Sequence, residues 1–147
     1  MTNTTQNEPK YEPLKVALYL RVSSDEQVQK YGLPMQREAL EALIKSKGTY
    51  PDGVTPKYVF AGEQYVYSEE GVSGTVVQHE RPAFARMIED IQFADPNNKP
   101  FDVIAVYKID RLARRLRILL NIISFFEEYE IKLISANESI DTNTPFG

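Results

Sequence analysis

Short apolar runs alternate with amphipathic stretches along this chain. Residues 15–22 (KVALYLRV) are a short apolar run rich in β-formers, which predicts a buried strand. Over residues 33–47 the apolar positions Leu33, Leu40, Leu43 and Ile44 fall on one helical face, and Pro34 suits the first turn of such a helix. Residues 48–55 are rich in turn formers, and a second strand is predicted within 58–67, interrupted by the sequence AGEQ. Pro82 opens another helix, with Phe84, Met87, Ile88 and Ile91 at helical spacing, and DPNNKP over 95–100 ends it. The run DVIAVY at 102–107 is a clear buried strand, 112–129 a long helix and 131–135 (IKLIS) a last strand. The long helix carries two apolar faces: Leu112, Leu116, Leu119, Leu120 and Ile123 on one, and Ile118, Ile122, Phe125 and Tyr129 on the other. One of them is expected to meet a partner.

Strands alternating with helices predict an α/β fold with a mainly parallel central sheet and helices on both faces. In such sheets ligands bind beyond the carboxyl ends of the strands. Two polar bursts fall there: Arg21, Ser23 and Ser24 after the first strand, and Asp110, Arg111 and Arg114 after the DVIAVY strand. Arg111 and Arg114, three apart at the start of the long helix, are expected to share a face near its N-terminus, where backbone N–H groups favour an anion. With Arg21 they would supply three forked donors suited to a phosphate. A serine hydroxyl beside them is then a candidate nucleophile towards phosphorus. The plainer reading has the serines as turn or capping residues and the arginines as ion-pair partners of Asp110 or Glu70.

With 147 residues the chain has room for one well-buried domain, and its composition is that of a globular protein. No apolar run approaches the roughly 20 residues of a membrane span, and the polar start MTNTTQNEPK lacks a signal-peptide core, so a cytoplasmic location is expected. Residues 1–13 read as a flexible leader and 14–147 as the domain. There is no cysteine, which excludes disulfides and thiolate metal sites, and the single histidine, His79, reads as a surface residue of a loop rather than a base or metal ligand. The stretch GVSG at 71–74 lacks the P-loop string. A formal net charge of −4 is unusual for a chain that grips nucleic acid, but the charge is segregated: four arginines lie within 111–117, while acids crowd 63–70 and 127–130.

Six ordered segments, YLRVSSDEQ (19–27), GLPMQREAL (32–40), EEGVSG (69–74), ERPAF (80–84), VYKIDRLAR (106–114) and NESIDTNTPFG (137–147), resemble the signature blocks of the serine recombinase catalytic domain. Resolvases, invertases and large serine integrases share that domain, and NESIDT followed by TPFG is most similar to the integrase branch. The resemblance implies that Ser23, two residues after Arg21, attacks a DNA phosphate to form a 5′-phosphoserine bond and free a 3′ hydroxyl, with neither metal nor other cofactor. It implies that Arg21, Arg111 and Arg114 bind and activate the phosphate, and that Arg81 is another catalytic arginine of the family site. Asp110 would serve as acid for the leaving oxygen or as organiser of the arginines, and Gln27, Gln36 and Lys108 as positioning groups. Asp102 matches a further family position. One departure is Glu69, where the family block carries aspartate. The implied partners are double-stranded DNA attachment sites and further copies of the protein, as a homodimer and a synaptic homotetramer, and no membrane. The DNA-binding domains of the family have no counterpart within these 147 residues, so the chain alone is expected to be an inactive catalytic fragment. A non-catalytic α/β domain that binds a phosphate or nucleotide is the alternative.

Overall fold

The computed structural model describes residues 11–22, 32–70 and 81–138. Strand β1 (Leu14–Val22) is followed by helix α1 (Leu33–Ser46), and two short strands come next, β2 (Tyr58–Phe60) and β3 (Val66–Glu70). Helix α2 (Pro82–Gln92), strand β4 (Val103–Val106), helix α3 (Leu116–Glu128) and strand β5 (Lys132–Ser135) complete the order. Among the described residues all strand pairs are parallel. β1 is central: β4 lies along one edge and leads to β5, while β2 and β3 share the other edge, pairing with the first and second halves of β1 in turn.

Because side chains alternate along a strand, β1 feeds two cores. Val16, Leu18 and Leu20 pack with Val103, Ala105 and Ile134 beneath Leu40 and Ile44 of α1. Ala17 and Tyr19 face the other way, joining Ile104, Val106 and Leu133 beneath Phe84 and Met87 of α2 and Ile122 and Phe126 of α3. Helices on both faces explain why β1 and β4 are continuously apolar rather than alternating. The architecture is therefore the expected three-layer α/β sandwich with a parallel sheet.

Two boundaries differ from the sequence pattern. The strand expected over 58–67 is two strands, separated by Gly62 at φ 128° and a 3-10 turn, Glu63–Tyr65. Only glycine adopts that φ readily, and a Cβ there would lie 2.9 Å from the Gln64 side-chain oxygen. The long helix expected from 112 begins at Leu116, and the residues before it form a separate 3-10 turn, Ile109–Arg111. Leu112 is buried in the core yet lies outside the helix. The core side of α3 is formed by Ile122 and Phe126, supported by Leu119, Ile123, Phe125 and Tyr129, while Leu116, Ile118 and Leu120 are exposed. The two expected faces of this helix thus resolve into a buried C-terminal half and an exposed apolar start. At the other end of the chain, Tyr11 of the expected leader stacks on Tyr50 at 4.6 Å, and the Tyr50 hydroxyl donates to the Glu12 carbonyl at 3.0 Å. Among the described residues no helix is long and apolar enough to cross a membrane.

Candidate functional site

Parallel pairing brings the carboxyl ends of β1, β3, β4 and β5 to one edge of the sheet, so Arg21, Glu69, the 109–111 turn and Ser135 meet there although far apart in sequence. Tyr19 and Arg21, two apart on β1, lie on the face covered by α2 and α3, as does Tyr67 of β3. Arg21, Glu69, Arg81 and Arg111 are all buried. Burying a charge is costly unless it is hydrogen-bonded, and the bonds around these four residues form one network.

Arg21 donates from Nε to the Arg111 carbonyl at 3.1 Å and from Nη2 to the Asp110 carbonyl at 2.7 Å. Arg81 stands at the N-cap of α2 and donates from Nη2 to the same Arg111 carbonyl at 2.9 Å and from Nη1 to the Leu112 carbonyl at 2.7 Å. Its Nε and Nη2 also donate to the Tyr19 hydroxyl at 3.1 and 2.7 Å, and its guanidinium lies 4.5 Å from the Phe84 ring centre. The Tyr19 hydroxyl in turn donates to Glu69 Oε2 at 3.1 Å. Glu69 accepts from the Ala83 and Phe84 N–H groups at 3.2 and 2.9 Å, capping α2 from a neighbouring strand where Arg81 itself supplies no side-chain cap.

These bonds also account for the late start of α3. An α-helix running through 110–112 would use those carbonyls for the N–H groups four residues on. They are taken instead by Arg21 and Arg81, so the chain makes a 3-10 turn and begins its helix afterwards. Arg111 and Arg114 therefore do not share a helical face, in contrast to the sequence expectation. Arg111 is buried in the turn with its Nε 3.9 Å from Asp110 Oδ1, and Arg114 is exposed in the segment leading to α3. Lys108, half-buried, is the N-cap of the turn.

Gln36 is fully buried although polar. Pairing of β1 with β4 ends at Tyr19, and beyond it the Gln36 side chain engages the Arg21 backbone, accepting from its N–H at 3.4 Å and donating to its carbonyl at 3.1 Å. The amide of α1 thus does for Arg21 what a neighbouring peptide does in a ladder, two residues before Ser23. Ser23, Ser24 and Gln27 lie outside the described residues, as does His79. Of the residues singled out by sequence, Arg21, Gln36, Arg81, Asp110 and Arg111 converge, with Lys108 and Arg114 on the rim. Asp102 sits at the opposite edge, where its Oδ2 accepts from the Lys15 N–H at 2.9 Å.

Tyr19 and Glu69 are the connecting members that sequence reasoning left without a role. Tyr19 was marked by its i, i+2 relation to Arg21, and Glu69 by its departure from the expected aspartate. Burial pushes the Tyr19 phenol well above its ordinary value, against the opposing pull of Arg81. Burial also holds the Arg21 guanidinium below its ordinary value, and the positive charges of Arg81, Arg111 and Arg114 act in the same direction. Positive charge is thus crowded at this edge, where an anion would offset the mutual repulsion.

The family model "Resolvase, N terminal domain" matches residues 16–147. A probable DNA-invertase of Sinorhizobium fredii is 31% identical over 106 residues, covering 72% of this chain and 32% of that protein. The serine recombinase gin of Escherichia phage Mu is 32% identical over 89 residues, covering 60% of this chain and 41% of that protein. The chain thus spans well under half the length of these curated relatives. The crystal structure of the N-terminal catalytic domain of TP901-1 integrase superposes with a TM-score of 0.67 at 34% identity, covering 88% of this chain and 82% of that one. A parallel sheet whose carboxyl edge gathers arginines around the β1 terminus thus coincides with a family match over nearly the whole chain: it belongs to the resolvase N-terminal domain family and carries a serine recombinase catalytic domain.

Proposed function

We propose that this domain cleaves and rejoins DNA through Ser23. The Ser23 oxygen attacks the scissile phosphorus in line, an Oγ–P bond forms as the P–O3′ bond breaks, the serine proton is lost to solvent or a nearby acceptor, and the 3′ oxygen gains a proton. Asp110 supplies that proton or organises Arg111. Rejoining reverses the step with a new 3′ hydroxyl. The phosphoserine bond conserves the energy of the broken phosphodiester, so the scheme calls for neither metal nor nucleotide cofactor. Arg111, Arg114 and Lys108 meet the charge that develops on the phosphate. Arg21 and Arg81 hold the turn that presents them, and Gln36 and Gln27 set the start and course of the segment bearing Ser23.

The observation that carries this reading is the gathering of buried Arg21, Arg81 and Arg111, with exposed Arg114 beside them, at the end of the strand that Ser23 follows in sequence. The substrates are double-stranded DNA attachment sites, engaged in the cytoplasm by a full-length protein that forms a homodimer on each site and a synaptic homotetramer between sites. The exposed apolar start of α3 supplies part of those contacts. Residues 14–147 are the catalytic domain, and residues 1–147 alone bind DNA weakly and without site preference, because their acidic balance leaves few phosphate contacts for counterion release.

The test is an adduct assay on a nicked suicide duplex with the full-length recombinase that carries this domain. The expected outcome is a phosphoserine mapped by mass spectrometry to Ser23, lost in Ser23→Ala and kept in Ser24→Ala. A bond at Ser24, or no covalent adduct at all, would overturn the mechanism.

A further inference from the structure

The 109–111 turn has two ends. Arg21 and Arg81 hold its carbonyl end, and the group that holds its N–H end lies in the last block of the sequence. The Ile109 N–H donates to Glu138 Oε1 at 3.1 Å. Lys108, the N-cap of the turn, is extended at φ −139° and ψ 152° and provides no side-chain cap, so the carboxylate supplies from a distant segment what a local cap would otherwise give. Glu138 is itself fixed to the sheet. The Ser135 hydroxyl donates to the same Oε1, and the Glu138 N–H donates back to Ser135 Oγ at 3.3 Å. Ser135 is the buried final residue of β5, in register with Val106 at the end of β4. Between them, the Asn137 N–H donates to the Tyr107 carbonyl at 3.0 Å.

We propose that Glu138 is a positioning residue for strand cleavage, its carboxylate anchoring the N–H end of the turn that carries Asp110 and Arg111. The proposal rests on the recombinase reading given above. The geometry makes the turn a rigid bracket: pinned at the Ile109 N–H by Glu138 and at the carbonyls of 110–112 by Arg21 and Arg81, it cannot tilt without breaking a bond at one end. Loss of the carboxylate leaves the carbonyl end held but loosens the other, which keeps the Asn137–Tyr107 backbone bond, so Asp110 and Arg111 shift relative to Arg21 and hence to the segment that bears Ser23. Glu138 is exposed, so its removal opens no cavity and costs the core little. Its effect is on placement, where a shift of about 1 Å lowers a rate by up to roughly 100-fold.

Two measurements test it together. Hydrogen exchange on the 147-residue chain, read by mass spectrometry on peptides spanning 107–112, is expected to speed up about tenfold or more in Glu138→Ala and to stay near wild type in Glu138→Gln, whose amide oxygen still accepts from Ile109 and Ser135. Single-turnover cleavage by the full-length protein should fall roughly 10- to 100-fold in Glu138→Ala with DNA affinity held within about twofold, and be restored to within about threefold by Glu138→Gln. Unchanged exchange at 107–112 in Glu138→Ala would overturn the anchor. Faster exchange with unchanged cleavage would overturn its role in the reaction, as would a Glu138→Gln variant as slow as Glu138→Ala. A wild-type protein that forms no adduct at Ser23 would instead sink the recombinase reading, and with it the catalytic half of this proposal, while the exchange arm still decides whether Glu138 holds the turn.

Discussion

The two edges of the sheet both gather charged side chains, but they use them differently. At the amino edge, Asp102 accepts from the Lys15 N–H, Lys15 Nζ donates to the Lys99 carbonyl at 2.9 Å, and Lys99 Nζ donates to the Glu130 carbonyl at 2.9 Å while lying 3.8 Å from Asp102 Oδ1. These groups are half-exposed or exposed, and each has water as an alternative partner. At the carboxyl edge Arg21, Glu69, Arg81 and Arg111 are buried, and the first three bond main-chain groups or the Tyr19 hydroxyl. Charged groups at the first edge tie strand starts together and can be replaced by water. Those at the second dictate the backbone path of the turn that carries Asp110 and Arg111, and water cannot take their place without opening the core.

The sharpest way to break the contrast is Arg81→Ala. It removes donors to the Arg111 and Leu112 carbonyls and to the Tyr19 hydroxyl, which links Arg81 to the buried Glu69 carboxylate. A loss of about 3 kcal/mol in denaturant unfolding is expected, since three buried acceptors lose their donor. Arg81→Lys should recover little of it, since a single ammonium cannot span those three acceptors. An alanine variant within about 1 kcal/mol of wild type would show that the network is dispensable. Next comes the contrast between buried Arg111 and exposed Arg114. Arg114→Ala is expected to leave stability unchanged and to slow single-turnover cleavage by roughly 100-fold, whereas Arg111→Ala should lose both. Weaker DNA binding at an unchanged cleavage rate would contradict the role of either residue. Glu69→Gln comes third. Its amide nitrogen would face a donor, either the Tyr19 hydroxyl or an α2 N–H, for an expected cost of about 1–3 kcal/mol in unfolding.

Most of the fold was legible because it rests on local pattern. The apolar run of β1, the helical spacing of Phe84, Met87 and Ile91, and the buried stretch of β4 each announce their element within a few residues. What was not legible came from distant side chains acting on backbone. Nothing near residue 112 says that a helix cannot start there; the reason lies in Arg21 and Arg81, 90 and 30 residues from the Arg111 carbonyl they bind. The same holds for Glu69, whose capping of α2 depends on β3 ending beside that helix, and for Glu138, which meets Ile109 across 29 residues. In the site, residue identities were legible but their division of labour was not. Sequence places Arg21, Arg81, Arg111 and Arg114 alike around a phosphate, whereas Arg21 and Arg81 direct donors onto the turn and Arg114 stands in solvent.

Asp102 gives the smallest expected effect and the cleanest control on the contrast between edges. Its position in the chain, eight residues before Asp110, invites a place in the same site, but the length of β4 separates the two, and parallel pairing puts Asp102 where the strands begin. Its Oδ2 accepts one backbone N–H, a role an asparagine oxygen can fill, and its partner Lys99 keeps a bond to the Glu130 carbonyl. What Asp102→Asn removes is mainly a half-exposed ion pair, worth no more than about 1 kcal/mol. Unfolding should therefore shift by less than that, and the single-turnover cleavage rate should stay within about twofold of wild type, since nothing at the carboxyl edge is displaced. A tenfold loss of cleavage with stability intact would mean that the amino edge communicates with the chemistry through β4, and the distinction between a replaceable edge and a backbone-setting edge would have to be abandoned.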